Sequence, residues 1–263
     1  MSYFRVNCQK LINFNKGNTS KVISKFHLNQ KTTELRILIV AESPREVTKL
    51  VDELTFVHQI EPHFKSYSLY NLHVDILITG LGSAFMTYHL TRALNMINYD
   101  LAINIGLAGS FDHFLEQGFV VNVIEEQFAD LGVIHKNNLY TLTEEELMNE
   151  DTFPFTSGKL HSLGNFELDE IEALIPVKGI TLNTLHSDPK WLAKIRDKFD
   201  PEVETMTGAA FFYVCLYEKI PFLQIRAISH FVEIRRIESW NIPNAIESLT
   251  GTTISILNEL KID

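Results

Sequence analysis

The chain has 263 residues and a formal net charge of −10 at pH 7, which argues against binding to nucleic acid or anionic lipid, because both require clustered basic side chains. Its composition is that of a soluble globular protein, and no stretch approaches the roughly 18 consecutive apolar residues of a membrane helix. Cys8 and Cys215 lie far apart and indicate neither a disulfide framework nor a metal site. We expect a cytoplasmic protein that binds a small molecule, with no nucleic-acid or membrane partner.

The first 34 residues differ from the rest of the chain. Residues 1–33 contain six basic residues and no acidic one. An organelle transit peptide has this composition, and so would an arm without fixed structure or a segment translated from an early start codon. We predict that residues 1–34 form a basic, poorly ordered extension that the fold does not need, and that residues 35–263 form one domain.

From residue 36 onward, apolar runs alternate with segments of helical periodicity. The run 37–40 and the later spacing of Val47, Leu50 and Val51 predict a strand, a turn and a helix. The same pattern predicts further strands at 74–79, 101–105, 119–124, 180–182 and 222–229, and further helices at 84–97, 189–199, 208–218 and 243–260. Short apolar strands between helices are typical of parallel strands buried on both faces. The chain is therefore predicted to be α/β, with one doubly covered sheet.

Glycines follow two of the predicted strands. Ligands of open α/β sheets usually bind beyond the carboxyl ends of the strands, where "TGLGS" (79–83) and "GLAGS" (106–110) predict turns. Their backbone N–H groups could form a cradle for an anion or for hydroxyl oxygens, or the glycines could simply make tight turns. Phe85 stands where a dinucleotide fingerprint has its third glycine, so no such cofactor is indicated.

Several polar residues also fall at strand ends or helix starts. Glu46 begins the first helix, where a carboxylate also suits the helix dipole. His230 follows the last predicted strand, and an imidazole exchanges protons near neutral pH, although a lone histidine is more often structural. Thr207 precedes a predicted helix and is expected to cap it by accepting its first free N–H groups. The loop 183–186 either lines a pocket or is merely polar. The other histidines lack metal-ligand spacing, so no metal or cofactor is expected.

Five segments resemble the nucleoside phosphorylase and nucleosidase superfamily, and within it they look most like the futalosine hydrolase family. They are "INIGLAGSF" (103–111), "FADLG" (128–132), "GITLNTLH" (179–186), "ETMTGAAFFYVC" (204–215) and "PFLQIRAIS" (221–229). The resemblance implies a three-layer αβα sandwich with a mixed central sheet and a homo-oligomer. It also implies hydrolysis of the N-glycosidic bond of a nucleoside, which for futalosine releases hypoxanthine and dehypoxanthine futalosine in menaquinone biosynthesis.

The resemblance also implies roles for individual residues. Glu46 matches a glutamate that orients or deprotonates the attacking water. His230 stands where relatives have Asp or Asn after Ser to address N7 of the purine, and a protonated imidazole can donate there. The implied substrate-binding residues near the sugar and base are Ala108, Gly109, Phe128, Asn183, Thr184, His186, Met206 and Thr207.

Thr207 departs from the family pattern. The superfamily usually reads Met-Glu, with the glutamate binding the ribose hydroxyls, where this chain has Met206-Thr207. Glu204 is a possible substitute, but strand alternation puts it on the face opposite Thr205 and Thr207.

Three other functions are compatible with the pattern. One is a methylthioadenosine/S-adenosylhomocysteine nucleosidase, and another is a purine nucleoside phosphorylase, although only Arg45 is placed to attract phosphate and Glu46 would repel it. The third, from a different class, is a nucleoside-binding homologue whose catalysis is impaired by the departures at Thr207 and His230.

Overall fold

The structure is a computed structural model that describes residues 34–163, 166–233 and 237–261. The strands are β1 (Leu35–Ala41), β2 (Thr55–Glu61), β3 (Phe64–Leu69), β4 (Leu72–Ile78), β5 (Leu101–Ser110), β6 (Val120–Phe128), β7 (Gly132–His135), β8 (Asn138–Thr141), β9 (Leu160–His161), β10 (Ile175–Thr181), β11 (Val203–Thr205) and β12 (Phe222–Phe231). The helices are α1 (Pro44–Asp52), α2 (Ser83–Met96), α3 (Asp169–Ala173), α4 (Pro189–Phe199), α5 (Gly208–Glu218) and α6 (Ile242–Leu260), and a 3₁₀ turn spans Ile237–Ser239.

The helices α4 and α5 have the predicted bounds. At α4 the local signals are complete, because the Asp188 carboxylate accepts the N–H of Lys190 and Pro189 occupies the first turn. Both helices end at a residue in the left-handed region, Asp200 after α4 and Lys219 after α5. The extension predicted for residues 1–34 lies outside the described residues except for Glu34, and it remains a prediction.

One large sheet forms the middle layer, in the order β11-β10-β6-β12-β5-β1-β4-β3-β2. β1, β4, β5 and β12 run parallel to one another, whereas β6 is antiparallel to β12 and β2–β3–β4 form an antiparallel meander. The mixed sheet is therefore confirmed. The sequence pattern alone indicated parallel strands. It missed β2 because five of the seven β2 residues are exposed and the other two are half-buried, so the strand carries no buried apolar run.

Alternate residues of β1 belong to different helical layers. Ile37 and Ile39 join the core beneath α1, α3 and α6, whereas Leu38 and Val40 join the core beneath α2 and α5. Because successive side chains point to opposite faces of a strand, this division places one layer of helices on each side of the sheet. The three-layer sandwich is thus confirmed.

The sheet closes on itself at β11, which pairs with both β10 and β5. β1 and β5 are parallel with Val40 opposite Asn104, so two residues further along Glu42 is level with Gly106. β11 is antiparallel to β5 with Glu204 opposite Gly109, so three residues further along Thr207 is also level with Gly106. Two chain segments that lie far apart in sequence therefore meet at one glycine.

The predicted turn at "GLAGS" is wrong, because these residues continue β5 to Ser110. The turn at "TGLGS" is confirmed: Gly80 and Gly82 have φ values of 88° and 100°, and α2 begins at Ser83. Among the residues that the structure describes, none of the helices has the length and apolar character needed to cross a bilayer.

Candidate active site

Glu46 lies at the start of α1 and is only 6% exposed. Its Oε2 accepts the backbone N–H groups of Glu42 (2.9 Å) and Ser43 (2.8 Å), and its Oε1 accepts the N–H of Leu107 (3.1 Å). The helix-start position predicted for Glu46 is therefore real, and the same carboxylate also reaches across to β5. Burial raises the pKa of Glu46, while Arg226 and these N–H groups oppose the rise.

Thr207 does not cap α5 with its side chain, contrary to the expectation from sequence. Its hydroxyl instead donates to Oε1 of Glu42 at 2.5 Å and accepts from Nη2 of Arg226 at 3.4 Å. Thr205 and Thr181 take over the capping, since their hydroxyls accept the N–H groups of Gly208 (3.0 Å) and Ala209 (2.7 Å). Thr207 is thereby free to face the Glu42 carboxylate.

Arg226 is fully buried in β12. Its Nη1 donates to Oδ1 of Asn104 at 2.7 Å, and its Nη2 lies 3.8 Å from Oε1 of Glu42. A Cβ on Gly106 would come within 2.6 Å of Nη1 of Arg226 and 2.8 Å of Oε1 of Glu46. The glycine that suggested a turn therefore serves to admit two charged side chains beside an extended strand. We call Glu42, Glu46, Thr207 and Arg226 around Gly106 the acidic cluster.

A third carboxylate, Glu126, is fully buried next to the acidic cluster. It accepts hydrogen bonds from Nε2 of Gln224 (2.6 Å) and from the hydroxyl of Thr181 (3.0 Å). Burial raises the pKa of Glu126 to about 7, with Arg226 opposing the rise. Burial together with the charge of Glu46 likewise raises the pKa of Glu42 to about 7. Three carboxyl groups thus share one guanidinium in this part of the core.

His230 lies in a different neighbourhood, around Gly109. A bulge in β12 puts His230, and not Ser229, opposite Gly109, and a Cβ on Gly109 would lie 2.7 Å from its Nε2. The imidazole stacks on the indole of Trp240, with centroids 3.9 Å apart, and its Nδ1 is 2.9 Å from the Ser229 hydroxyl. That hydroxyl donates to the carbonyl oxygen of Ala108 at 3.2 Å. Ala108, Gly109 and His230 therefore lie together, as the resemblance implied.

The contacts of the loop 183–186, which follows β10, are with other loops and with α4 rather than with the residues around Gly106 and Gly109. Oδ1 of Asn183 accepts the N–H of Ser83 at 2.9 Å, and the backbone N–H of Asn183 donates to Asp130 at 2.5 Å. Asn183 therefore joins the loop to the "TGLGS" turn. Thr184 is exposed, and His186 packs against Trp191 with ring centroids 4.8 Å apart. Burial lowers the pKa of the His186 imidazole.

The remaining candidates are Phe128 and Met206, which the resemblance implied for substrate binding, and Glu204, the possible substitute for a glutamate at position 207. Phe128 ends β6, lies 6.5 Å from the Phe155 ring and borders a cavity of about 200 Å³. Met206 is half-buried directly before Thr207. Glu204 lies opposite Gly109 in the sheet and is buried, and its Oε2 has no hydrogen-bond partner among the described residues. Burial raises the pKa of Glu204 to about 7.

Sequence reasoning assigned no role to Glu42, Glu126 or Arg226. Gln224 and Arg226 do interrupt an otherwise apolar strand at a spacing of two, which places both on one face. Long polar side chains at such positions need buried partners, and that was the available signal. Within the described ranges no group of three or more His, Cys, Asp or Glu side chains is placed to hold a metal ion.

Comparison with known proteins identifies the family to which the chain belongs. A family profile described as the phosphorylase superfamily matches residues 36–250. The 5′-methylthioadenosine/S-adenosylhomocysteine nucleosidase of Bacillus cytotoxicus is 29% identical over 237 residues, covering 86% of this chain and 100% of that protein. The same enzyme of Bacillus velezensis is 28% identical over 204 residues, covering 74% of this chain and 85% of that protein.

Solved structures share the fold at low identity. The methylthioadenosine/S-adenosylhomocysteine nucleosidase of Colwellia psychrerythraea, in complex with adenine, has a TM-score of 0.71 at 19% identity and covers 86% of this chain and 96% of its own. Futalosine hydrolase of Helicobacter pylori has a TM-score of 0.71 at 14% identity and covers 86% and 98%. Because the profile spans nearly the whole described domain, from β1 into α6, the chain belongs to the phosphorylase superfamily.

Proposed function

We propose that the protein hydrolyses the N-glycosidic bond of a purine nucleoside, with futalosine as its substrate and hypoxanthine as the released base. The observation that carries this proposal is the Glu46 carboxylate, which is buried and oriented by three backbone N–H groups. Oε1 accepts one of them and keeps a lone pair for a water molecule. Burial raises the pKa of Glu46, which makes it a stronger base toward that water.

The charge of the acidic cluster favours hydrolysis over phosphorolysis. Cleavage of a glycosidic bond develops positive charge on the sugar, and buried carboxylates stabilise that charge more strongly than they stabilise the neutral substrate. Glu42, Glu46 and Glu126 surround a single guanidinium, so a phosphate ion would be repelled. Arg45, the cation that the sequence offered for phosphate, is exposed.

The hydrogen-bonding capacity of His230 supports a 6-oxopurine. The hydroxyl of Ser229 donates to the carbonyl of Ala108, so Nδ1–H of His230 is the donor in the contact between them. A protonated imidazole has only donors to offer. N7 and O6 of hypoxanthine are both acceptors, whereas adenine pairs N7 with an amino donor. When the imidazole is protonated on both nitrogens, its Nε2–H can donate to N7 and assist departure of the base; in the neutral tautomer with Nδ1–H, Nε2 is an acceptor instead.

A methylthioadenosine/S-adenosylhomocysteine nucleosidase is the second candidate, because the similar Bacillus proteins carry that name over all or most of their length. The 6-amino group of adenine needs an acceptor beside N7, which an aspartate provides and a protonated histidine does not. Futalosine is therefore preferred on the premise that His230 is protonated when it acts on the base.

The test is to incubate the purified protein separately with futalosine, methylthioadenosine and inosine, with and without phosphate, and to measure the free base. We expect hypoxanthine from futalosine at a rate that phosphate does not change. Faster release of adenine from methylthioadenosine would assign the second candidate, and release that requires phosphate would replace hydrolysis by phosphorolysis. Binding of nucleosides without release of any base would identify the catalytically impaired homologue.

A further inference from the structure

We infer that Glu42 is the carboxylate that binds the sugar hydroxyls of the substrate, and that Thr207 holds it in place. This inference rests on the proposed function, because it assigns a residue to the sugar end of the same site. The family pattern does not mark Glu42 for this role, and its position directly after β1 places it only in the general region where ligands bind.

The first observation is the contact between the two side chains. The Thr207 hydroxyl donates to Oε1 of Glu42 at 2.5 Å. With a covalent C–O bond of about 1.4 Å, this oxygen lies roughly 3–4 Å from Cβ of residue 207, which is also about the reach of a glutamate side chain from its own Cβ. Glu42 therefore presents a carboxylate where a glutamate at position 207 would present one.

The second observation is that the hydrogen bonds of Glu42 hold only one of its two oxygens. Oε1 accepts from Thr207 and lies 3.8 Å from the guanidinium of Arg226. Within the ranges that the structure describes, Oε2 of Glu42 accepts no hydrogen bond. This oxygen is also not fully enclosed by protein atoms. Because Thr207 holds Oε1, the carboxylate is fixed in position while Oε2 stays available. Such an oxygen is suited to accept hydrogen bonds from hydroxyl groups.

The third observation is that Glu42 is coupled to the proposed water activator. The backbone N–H of Glu42 donates to Oε2 of Glu46 at 2.9 Å. A sugar held by the Glu42 side chain would therefore be positioned by the same short segment that orients the base acting on water. Glu204 lacks this connection, since it lies opposite Gly109 and outside the acidic cluster.

The experiment compares inosine with 2′-deoxyinosine in the wild type and in Glu42→Gln, by titration calorimetry and by release of base. The glutamine keeps the shape and the contact with Thr207 but turns an amide donor toward the hydroxyls. We expect the preference of the wild type for inosine to fall by at least about 10-fold in Glu42→Gln, because hydrogen bonds to charged groups are the strong ones. The matched control is Glu53→Gln, an exposed glutamate that follows α1, which should keep the wild-type preference.

Two further variants exchange the positions of the acid. Thr207→Glu alone puts two carboxylates side by side and should weaken inosine binding by about 10-fold or more. The double variant Glu42→Ala with Thr207→Glu moves the acid to the other chain segment and should recover most of the preference lost in Glu42→Ala. Thermal unfolding checks that each variant folds, and the Glu42→Gln comparison stands by itself if the double variant does not.

The outcomes separate this inference from the proposed function. Base release with an unchanged preference in Glu42→Gln would overturn the role of Glu42 and leave the hydrolase intact. Binding that depends on the sugar hydroxyls and on Glu42, but without release of base, would support the role and overturn the hydrolase. A wild type that binds neither nucleoside would overturn both.

Discussion

Two glycines of β5, three residues apart, accommodate the two halves of the candidate site in different ways. Gly106 makes room for the ends of two charged side chains, Arg226 and Glu46, each of which makes hydrogen bonds to neighbouring strands or loops. Gly109 makes room for the side of one imidazole, which stacks on Trp240 and contacts the Ser229 hydroxyl. The two glycines are roughly 10 Å apart along an extended strand.

The difference indicates a division of labour. The acidic cluster at Gly106 is buried and densely hydrogen-bonded, as expected for groups that stabilise developing charge without reorganising. The neighbourhood of Gly109 is half-buried and contains a ring pair, which suits recognition of a flat heterocycle. We therefore expect changes at Gly106 to reduce the chemical step and the stability together, and changes at Gly109 to act mainly on binding of the base.

The largest effect is expected for Glu46→Gln. A general base contributes about 10² to 10⁴ in rate, so kcat should fall by about that factor while KM changes little, because the amide preserves the shape of the carboxylate. Steady-state kinetics on futalosine measure both quantities, with Glu53→Gln as the control. A variant with an unchanged kcat would exclude Glu46 as the water-activating residue.

Arg226→Met should be the most destabilising single change. It leaves Glu42, Glu46 and Glu126 without their shared cation, and breaking a buried ion pair in this way costs about 3–5 kcal/mol. Chemical denaturation measures the free energy of unfolding. Because the lost cation stabilises the ionised form of these carboxylates, the deficit should be larger at pH 8, where they are ionised, than at pH 5.5. A deficit that does not depend on pH would mean that the guanidinium stabilises the fold by packing and not by pairing with the carboxylates.

The pair Gly106→Ala and Gly109→Ala tests the comparison directly. A methyl group at Gly106 meets Nη1 of Arg226 at 2.6 Å, and one at Gly109 meets Nε2 of His230 at 2.7 Å. Each requires a shift that typically costs about 1–3 kcal/mol. We expect Gly106→Ala to lower kcat and Gly109→Ala to raise KM, as measured by steady-state kinetics. Equal effects of both variants on kcat would remove the distinction between the two neighbourhoods.

The smallest effect is expected at Glu204, through pH. Burial raises its pKa from 4.5 to about 7, so the folded state keeps a proton that the unfolded state releases. Its contribution to stability is fully present below about pH 4.5 and is lost as pH rises toward 7 and above. The free energy of unfolding of Glu204→Gln, relative to that of the wild type, should therefore increase by about 1–3 kcal/mol as pH rises from 5 to 8, as measured by thermal unfolding. A gain that is equal at both pH values would contradict the burial of an ionisable group there.

The elements predicted well from sequence were those with complete local signals. α4 begins and ends as predicted because its Asp188 cap, Pro189 and apolar periodicity are local. α5 also has the predicted bounds, but its apolar run alone marked it, because its first N–H groups are capped by Thr205 and Thr181 from neighbouring strands. "GLAGS" misled because two glycines resemble a turn, while the reason for the first of them is a pair of side chains from β12 and α1. β2 was missed because five of its seven residues are exposed and it carries no buried apolar run.

The site was predicted in part for a similar reason. Glu46 sits at a recognisable helix start, and His230 ends an apolar strand. Glu42 directly follows the first strand, but its contact with Thr207 depends on the closure of the sheet at β11. The contact of Arg226 with Asn104 likewise depends on the pairing of β12 with β5. Contacts that depend on register between distant strands cannot be inferred from one segment at a time.

The contacts of the acidic cluster have a consequence for how the protein folds. Thr207 and Glu42 are 165 residues apart, Arg226 and Asn104 are 122 apart, and Leu107 and Glu46 are 61 apart. Pairings of such long range form late, because closing long loops costs entropy before any contact repays it. A fragment that ends before β12 lacks Arg226, and one that begins after α1 lacks Glu42 and Glu46. During refolding, base release would return only with the last structural phase, so activity would report completion of the whole fold.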